Sequence, residues 1–151
     1  MNTLTKATAK VGGLVVNGTT MTATGAELNM LDGQCAAAVF TVGTETGGNT
    51  INVAIQLNDA AGAAMTTRTA LPFYVSSDAN GDAIASATSG GIAIGADGLL
   101  IEWTANLAGL VISEADGDID IDFVEASTGT WYLVLVLPTG KLAVSGAITF
   151  A

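Results

Sequence analysis

From residue 36 onward the chain alternates between apolar and polar positions. Ile51, Val53, Ile55 and Leu57 are separated by Asn52, Ala54 and Gln56, and Ile119, Ile121 and Phe123 are interleaved with Asp118, Asp120 and Asp122. A period of two places one set on each face of an extended chain and predicts half-buried β-strands. The run from Trp131 to Leu137 does not alternate. It is short for a helix and rich in β-formers, which predicts a strand buried on both faces. Further apolar runs at 40–42, 71–76, 90–95, 99–104, 107–113 and 141–150 read as strands, with Pro72 near the start of its strand or on an edge. Tight connections at Ser127-Thr128-Gly129 and Pro138-Thr139-Gly140 predict that the last three strands form a β-meander needing a second layer. Asp97-Gly98 marks a hairpin. Roughly seven to nine short strands with frequent turns predict an all-β fold: an immunoglobulin-like antiparallel β-sandwich. The Cys-Trp-Cys spacing of antibody domains is absent, so the expectation concerns architecture alone.

Residues 1–35 follow a different pattern, and the β pattern of the second region spans 36–151. Leu14-Val15-Val16 precedes an Asn17-Gly18 turn signal. Thr24 is a good helix N-cap, Glu27 stands three residues later as in a capping box, and Gly33 is a good terminator. The predicted helix is about two turns long, too short to persist without packing on something else. Leu28 and Leu31 share a face, with Met30 beside it. The region therefore reads as an extended N-terminal arm with a short helix, and Lys6, Lys10, Leu28, Met30 and Leu31 are its candidate partner-binding residues.

Composition sharpens this picture. The chain has 151 residues, half of them apolar, with few aromatics and many small side chains. No run approaches the ~18 apolar residues of a membrane-spanning helix. The apolar excess over what one small core holds predicts a buried subunit contact, with the chain end at Ile148 and Phe150 as one candidate, and a homo-oligomer, a trimer first. Only Lys6, Lys10, Arg68 and Lys141 are cationic, against a net charge of −10. Phosphate-directed nucleic-acid binding and binding to anionic lipid thus have no electrostatic support. Met1 to Lys6 is not followed by an apolar segment of the secretory kind, so synthesis and assembly in the cytosol are expected.

Candidate chemistry is sparse. With no His and one Cys, neither a zinc site built on those ligands nor a His-dependent catalytic set is available. Cys35 reads as a small buried hydrophobe. The carboxylates Asp116, Asp118, Asp120 and Asp122 have the look of a cation ladder, but carboxylates along one strand converge poorly on one ion, and a solvated strand face accounts for their spacing. Asp78-Ala79-Asn80-Gly81-Asp82 superficially matches a calcium loop and is better read as a turn. Trp131, in the most apolar run, reads as core. A carbohydrate-active or carbohydrate-binding role rests only on the inventory of Trp and carboxylates. No cofactor and no enzymatic activity are expected.

One segment carries a resemblance. Thr22-Ala23-Thr24-Gly25-Ala26-Glu27-Leu28-Asn29-Met30-Leu31-Asp32-Gly33 resembles the T-A-T-A-A-E-L-N-x-L-D-G segment near the N-termini of bacteriophage head-fibre, tail-fibre and related structural proteins, with Gly25 in place of the usual Ala. The turn-rich remainder, including Ser77 to Asp82, Ile94 to Leu100, Ser113 to Asp120 and Leu137 to Leu142, is similar to small β-rich phage structural proteins. The resemblance implies a non-enzymatic virion component. Its first form is a capsid decoration protein on the outer capsid surface, attached by the arm to the major capsid protein or other virion proteins. Its second form is a head- or tail-fibre attachment or receptor-binding component.

Overall fold

The structure, a computed structural model, describes residues 14–151. The chain falls into two compact units, Met1–Leu31 and Asp32–Ala151. In the first, β1 (Leu14–Val16) and β2 (Thr19–Met21) form an antiparallel hairpin. Asn17 and Gly18 both take positive φ, 49° and 81°, the left-handed pair that a two-residue hairpin turn needs. Helix α1 (Gly25–Asp32) follows. Its start is the predicted capping box: the Glu27 amide donates to Thr24 Oγ1 at 3.2 Å, and the Thr24 amide donates back to Glu27 Oε2 at 2.6 Å.

The second unit is an antiparallel β-sandwich, as the alternation predicts. Its strands are β3 (Ala37–Val42), β4 (Thr50–Asn58), β5 (Ala70–Ser76), β6 (Gly91–Ile94), β7 (Leu99–Thr104), β8 (Ala108–Ile112), β9 (Asp118–Val124), β10 (Gly129–Val136), β11 (Leu142–Val144) and β12 (Ile148–Phe150). One sheet has the order β3-β4-β9-β6. The other runs β11-β10-β5-β8-β7, with β12 also on β10. The chain changes sheet between β4 and β5, β5 and β6, β6 and β7, β8 and β9, and β9 and β10. Long-range pairs such as β4 with β9 and β5 with β10 therefore hold the domain together.

That wiring corrects two local expectations. The last strands are not a meander, because β9 and β10 lie in opposite sheets and face each other across the core. The segment 141–150 is not one strand either. β11 pairs with Val134–Val136, and β12 pairs with Gly129–Trp131 along the same edge of β10. At the break, the buried Ser145 takes over the ladder with its side chain: Oγ accepts from the Leu133 amide at 2.9 Å and donates to the Gly146 carbonyl at 2.8 Å. A buried amide left unpaired costs as much as a lost hydrogen bond, so the serine lets the edge bend without that cost.

The core lies between the sheets. Ile51, Val53, Ile55 and Leu57 from β4 and Ile119, Ile121 and Phe123 from β9 meet Leu71, Phe73 and Val75 from β5, Val111 from β8 and Leu133 and Leu135 from β10. Each fully buried side chain of this size stabilises by about 1.5–3 kcal/mol. Pro72 is tolerated on the central strand β5 because the β10–β5 ladder ends at the Leu135–Phe73 pair, one residue short of it. Cys35 is buried in this core, and burial raises its thiol pKa. Trp131 packs at the rim, edge-on to Phe150 with ring centroids 5.9 Å apart.

Candidate functional site

The carboxylate row lies on the outer face of the four-stranded sheet. Ile119, Ile121 and Phe123 are buried, while Asp118, Asp120 and Asp122 point outward beside their register partners Gln56, Ala54 and Asn52. Asn52 Nδ2 donates to Asp122 Oδ1 at 2.8 Å. The Asp97 carbonyl accepts the Asp120 amide at 2.9 Å, which brings a fourth carboxylate to the cluster. A shallow open depression beside the row is lined by Val39, Thr41, Ala54, Gln56 and Asp118. Among the described residues no group of three or more His, Cys, Asp or Glu side chains is arranged to hold a metal ion.

The electrostatic consequence is local repulsion. Partial burial, and then Asp97, Asp122 and Asp118, raise the Asp120 pKa above the usual 3.8. A carboxyl with a raised folded-state pKa costs stability at neutral pH, and that cost disappears as pH falls below the unfolded value. Asp120→Asn is therefore expected to raise Tm at pH 7 and to leave it unchanged at pH 3. Thermal melts at both values check this; equal shifts at both would mean that packing, not charge, sets the effect.

The loop after β5 is a turn. Asp78 Oδ1 accepts the Asn80 amide at 2.7 Å, and Gly81, at φ 81°, donates its amide to the Asp78 carbonyl at 3.1 Å. Asp78 thus caps its own backbone. The loop is pinned by Ser76 Oγ, which donates to the Ala83 carbonyl at 2.6 Å, and by Tyr74 Oη, which donates to the Gly81 carbonyl at 2.7 Å.

The expected arm residues are only partly described. Lys6 and Lys10 lie outside the described residues, as does the side chain of Leu31. Leu28 is 36% exposed and Met30 69% exposed on α1. The expected contact at the chain end is corrected: Ile148 and Phe150 are buried, because β12 turns both into the sandwich core.

The exposed apolar surface is elsewhere, on the outer face of the six-stranded sheet. Cross-strand register aligns Leu99 with Ile112 and Ala70, and Ile101 with Leu110 and Pro72. Further along, Tyr74 pairs with Val134, which pairs with Val144, and Leu142 pairs with Val136. The turn 77–83 covers one end of this face, where Gly81 sits against Tyr74, Val134 and Leu142. At the other end Leu99 is 49% and Ile101 44% exposed on the edge strand β7, and Trp103, at a β-bulge, is 66% exposed. The sequence signal for this was the set of uninterrupted apolar runs at 99–101 and 107–112, which read simply as strands and left open that one apolar face meets solvent.

A second feature went unread in the sequence. Glu125, 4% exposed, directly follows β9 where the chain leaves for the opposite sheet. Its carboxylate accepts four hydrogen bonds: from Ser89 Oγ (2.6 Å) and amide (2.8 Å), and from Ser127 Oγ (2.8 Å) and amide (2.9 Å). These donors, those of Ser89 foremost, pull its pKa from 4.5 to about 2. Oε1 accepts three of these bonds and Oε2 one, so the group acts as a structural clasp.

No protein-family model and no curated protein matches the chain.

Proposed function

We propose that the chain is a bacteriophage virion structural protein, a non-enzymatic decoration protein that attaches to the capsid shell through its N-terminal arm and displays the sandwich outward as a trimer. The observation that carries this reading is the segment Thr22–Gly33, which resembles the attachment-end segment of phage fibres and head proteins. It forms a capped helix with Leu28 and Met30 turned to solvent. A helix of about two turns is marginal alone and gains its stability from a surface that covers its apolar side chains. The acidic outer face of the four-stranded sheet suits the solvent side of a particle, where like charge keeps neighbouring particles apart.

The test is location and attachment together. Cryo-EM of intact particles is expected to place the chain on the shell, in contact with the major capsid protein. Purified shells lacking the chain are expected to bind the wild-type protein and to bind Leu28→Asp/Met30→Asp at least about tenfold more weakly. Density confined to the tail would transfer the chain to a fibre-attachment role, and undiminished binding of the double variant would remove the arm from the contact.

A further inference from the structure

We infer that the outer face of the six-stranded sheet is the surface by which copies of this chain meet. The face pairs Leu99 and Ile101 of β7 with Ile112 and Leu110 of β8, which in turn pair with Ala70 and Pro72 of β5. Side chains of this kind in contiguous rows mark an association surface rather than ordinary scattered exposure.

Charge selects the occupant. The chain carries a net −10, so two copies repel one another in most orientations. Its carboxylates are segregated, with Asp97, Asp118, Asp120 and Asp122 gathered on the outer face of the opposite sheet. The turn 77–83 brings Asp78 and Asp82 to the covered end of the apolar face, Asp82 near Tyr74, while the six strands themselves contribute one carboxylate, Glu102. That residue registers with Gly109 on the alternate row and accepts the Asn106 amide. Two copies meeting through the apolar faces hold their acidic sheets as far apart as the fold permits. A cationic partner would be drawn to the acidic sheet instead. Among the described residues, the open end of this face, around Leu99, Ile101, Leu110 and Ile112, is thus a surface on which a second copy of this acidic chain meets little like charge.

Size sets the strength. The open part of the face, β5, β8 and β7 at the usual spacing and about three side-chain rows deep, has a footprint of roughly 14 by 20 Å, about 300 Å² in projection. A standard specific interface buries ≈ 800 Å² per partner, so this face alone supports a reversible contact. The exposed Trp103 on the unpaired edge strand β7 extends it. Contacts of this class hold when copies are concentrated, as they are when set side by side on an assembly.

The inference names the self-contact within the assembly proposed above, and its test needs no virion. Sedimentation velocity of the full chain across a nanomolar to high-micromolar series is expected to show reversible self-association. Ile101→Glu is expected to weaken it at least about tenfold, and the milder Leu99→Gln by less. Val39→Gln, which removes an exposed aliphatic residue from the opposite sheet, is expected to leave it unchanged. Far-UV circular dichroism confirms folding of each variant. A wild-type chain that stays monomeric throughout overturns the inference, as does a folded Ile101→Glu that associates like wild type or a Val39→Gln that weakens association equally. A monomer that binds shells through Leu28 and Met30 would sink this inference and keep the decoration reading. A self-associating chain absent from the shell would do the reverse.

Discussion

Gly109→Ala is expected to destabilise the sandwich by about 3 kcal/mol or more, at the top of the range for overpacking a core. Gly109 is on β8, between β5 and β7, in register with Phe73 on one side and Glu102 on the other. A Cβ there would collide with the Ile101 carbonyl oxygen and lie 2.9 Å from both Glu102 Cα and Phe73 Cε1. Two of these obstacles are backbone, so no side-chain rotation relieves them, and β7 would have to move off β8. The β7–β8 register shifts at this point, between Glu102 and Thr104. Bulges of this kind bend and twist a strand locally, and here the close approach of β7 is possible because β8 presents no side chain. Gly25→Ala is the control, since nothing lies within 4 Å of its Cβ and alanine favours a helix by up to about 1 kcal/mol. Urea denaturation of both variants decides the matter. A Gly109→Ala protein within 1 kcal/mol of wild type would mean that β7 is not packed on β8 as described. Adding Phe73→Leu should not rescue Gly109→Ala, because the hard contact is with backbone.

What the sequence revealed, and what it did not, follows the range of each signal. Alternation is local, and it correctly assigned Ile119, Ile121 and Phe123 to the core and Asp118, Asp120 and Asp122 to solvent. The Thr24–Glu27 capping box is local too, spanning three residues, and it formed as expected. Pairing is not local. A period of two says which side of a strand is wet but not which strand lies beside it, so β9 and β10, consecutive and tightly connected, were expected in one sheet and belong to two. Segment 141–150 reads as one strand because nothing in its pattern shows that Ser145 substitutes its hydroxyl for a ladder hydrogen bond. The open apolar face was half legible. Runs such as Leu107 to Ile112 announce a strand apolar on both sides, but whether the second side is covered depends on where the turn 77–83 folds. That turn reaches Val134 and stops short of Ile101. Glu125 left no signal, because an acid at a strand end with a serine two residues on looks like surface until Ser89 is brought to it from another segment.

Glu125→Gln is expected to lower Tm at pH 7 by several degrees and to flatten the acid side of the stability profile. Glu125, through its carboxylate and its own amide, ties together three places at the point where the chain crosses between sheets. It binds Ser89 and Ser127 with its oxygens, its own amide donates to the Asn49 carbonyl at 3.0 Å, and the Ala126 amide donates to Ser89 Oγ at 3.1 Å. An amide in its place turns an NH2 toward donors and leaves at least part of the cluster unpaired, which in a buried setting costs more than the hydrogen bonds themselves contribute. The sign of the pH effect follows from the depressed pKa. The group's contribution is fully present above its unfolded value near 4.5, and it is lost as pH falls through the folded value of about 2. Asp120 acts in the opposite sense, because its raised pKa makes protonation relieve strain among Asp97, Asp118 and Asp122. The wild-type profile in acid is the resultant of these two contributions, and the variants separate them. Removing Glu125 leaves the relief at Asp120, so the gap between Glu125→Gln and wild type should narrow steadily from pH 4.5 toward 2. Removing Asp120 leaves the loss at Glu125, so Asp120→Asn should fall more steeply than wild type over the upper part of that range. Thermal melts at half-unit pH steps read both slopes. A Glu125→Gln curve parallel to wild type would show that its four hydrogen bonds do not hold the sheet crossing, and that the connections from Asn49, Ser89 and Ser127 are set by backbone packing alone.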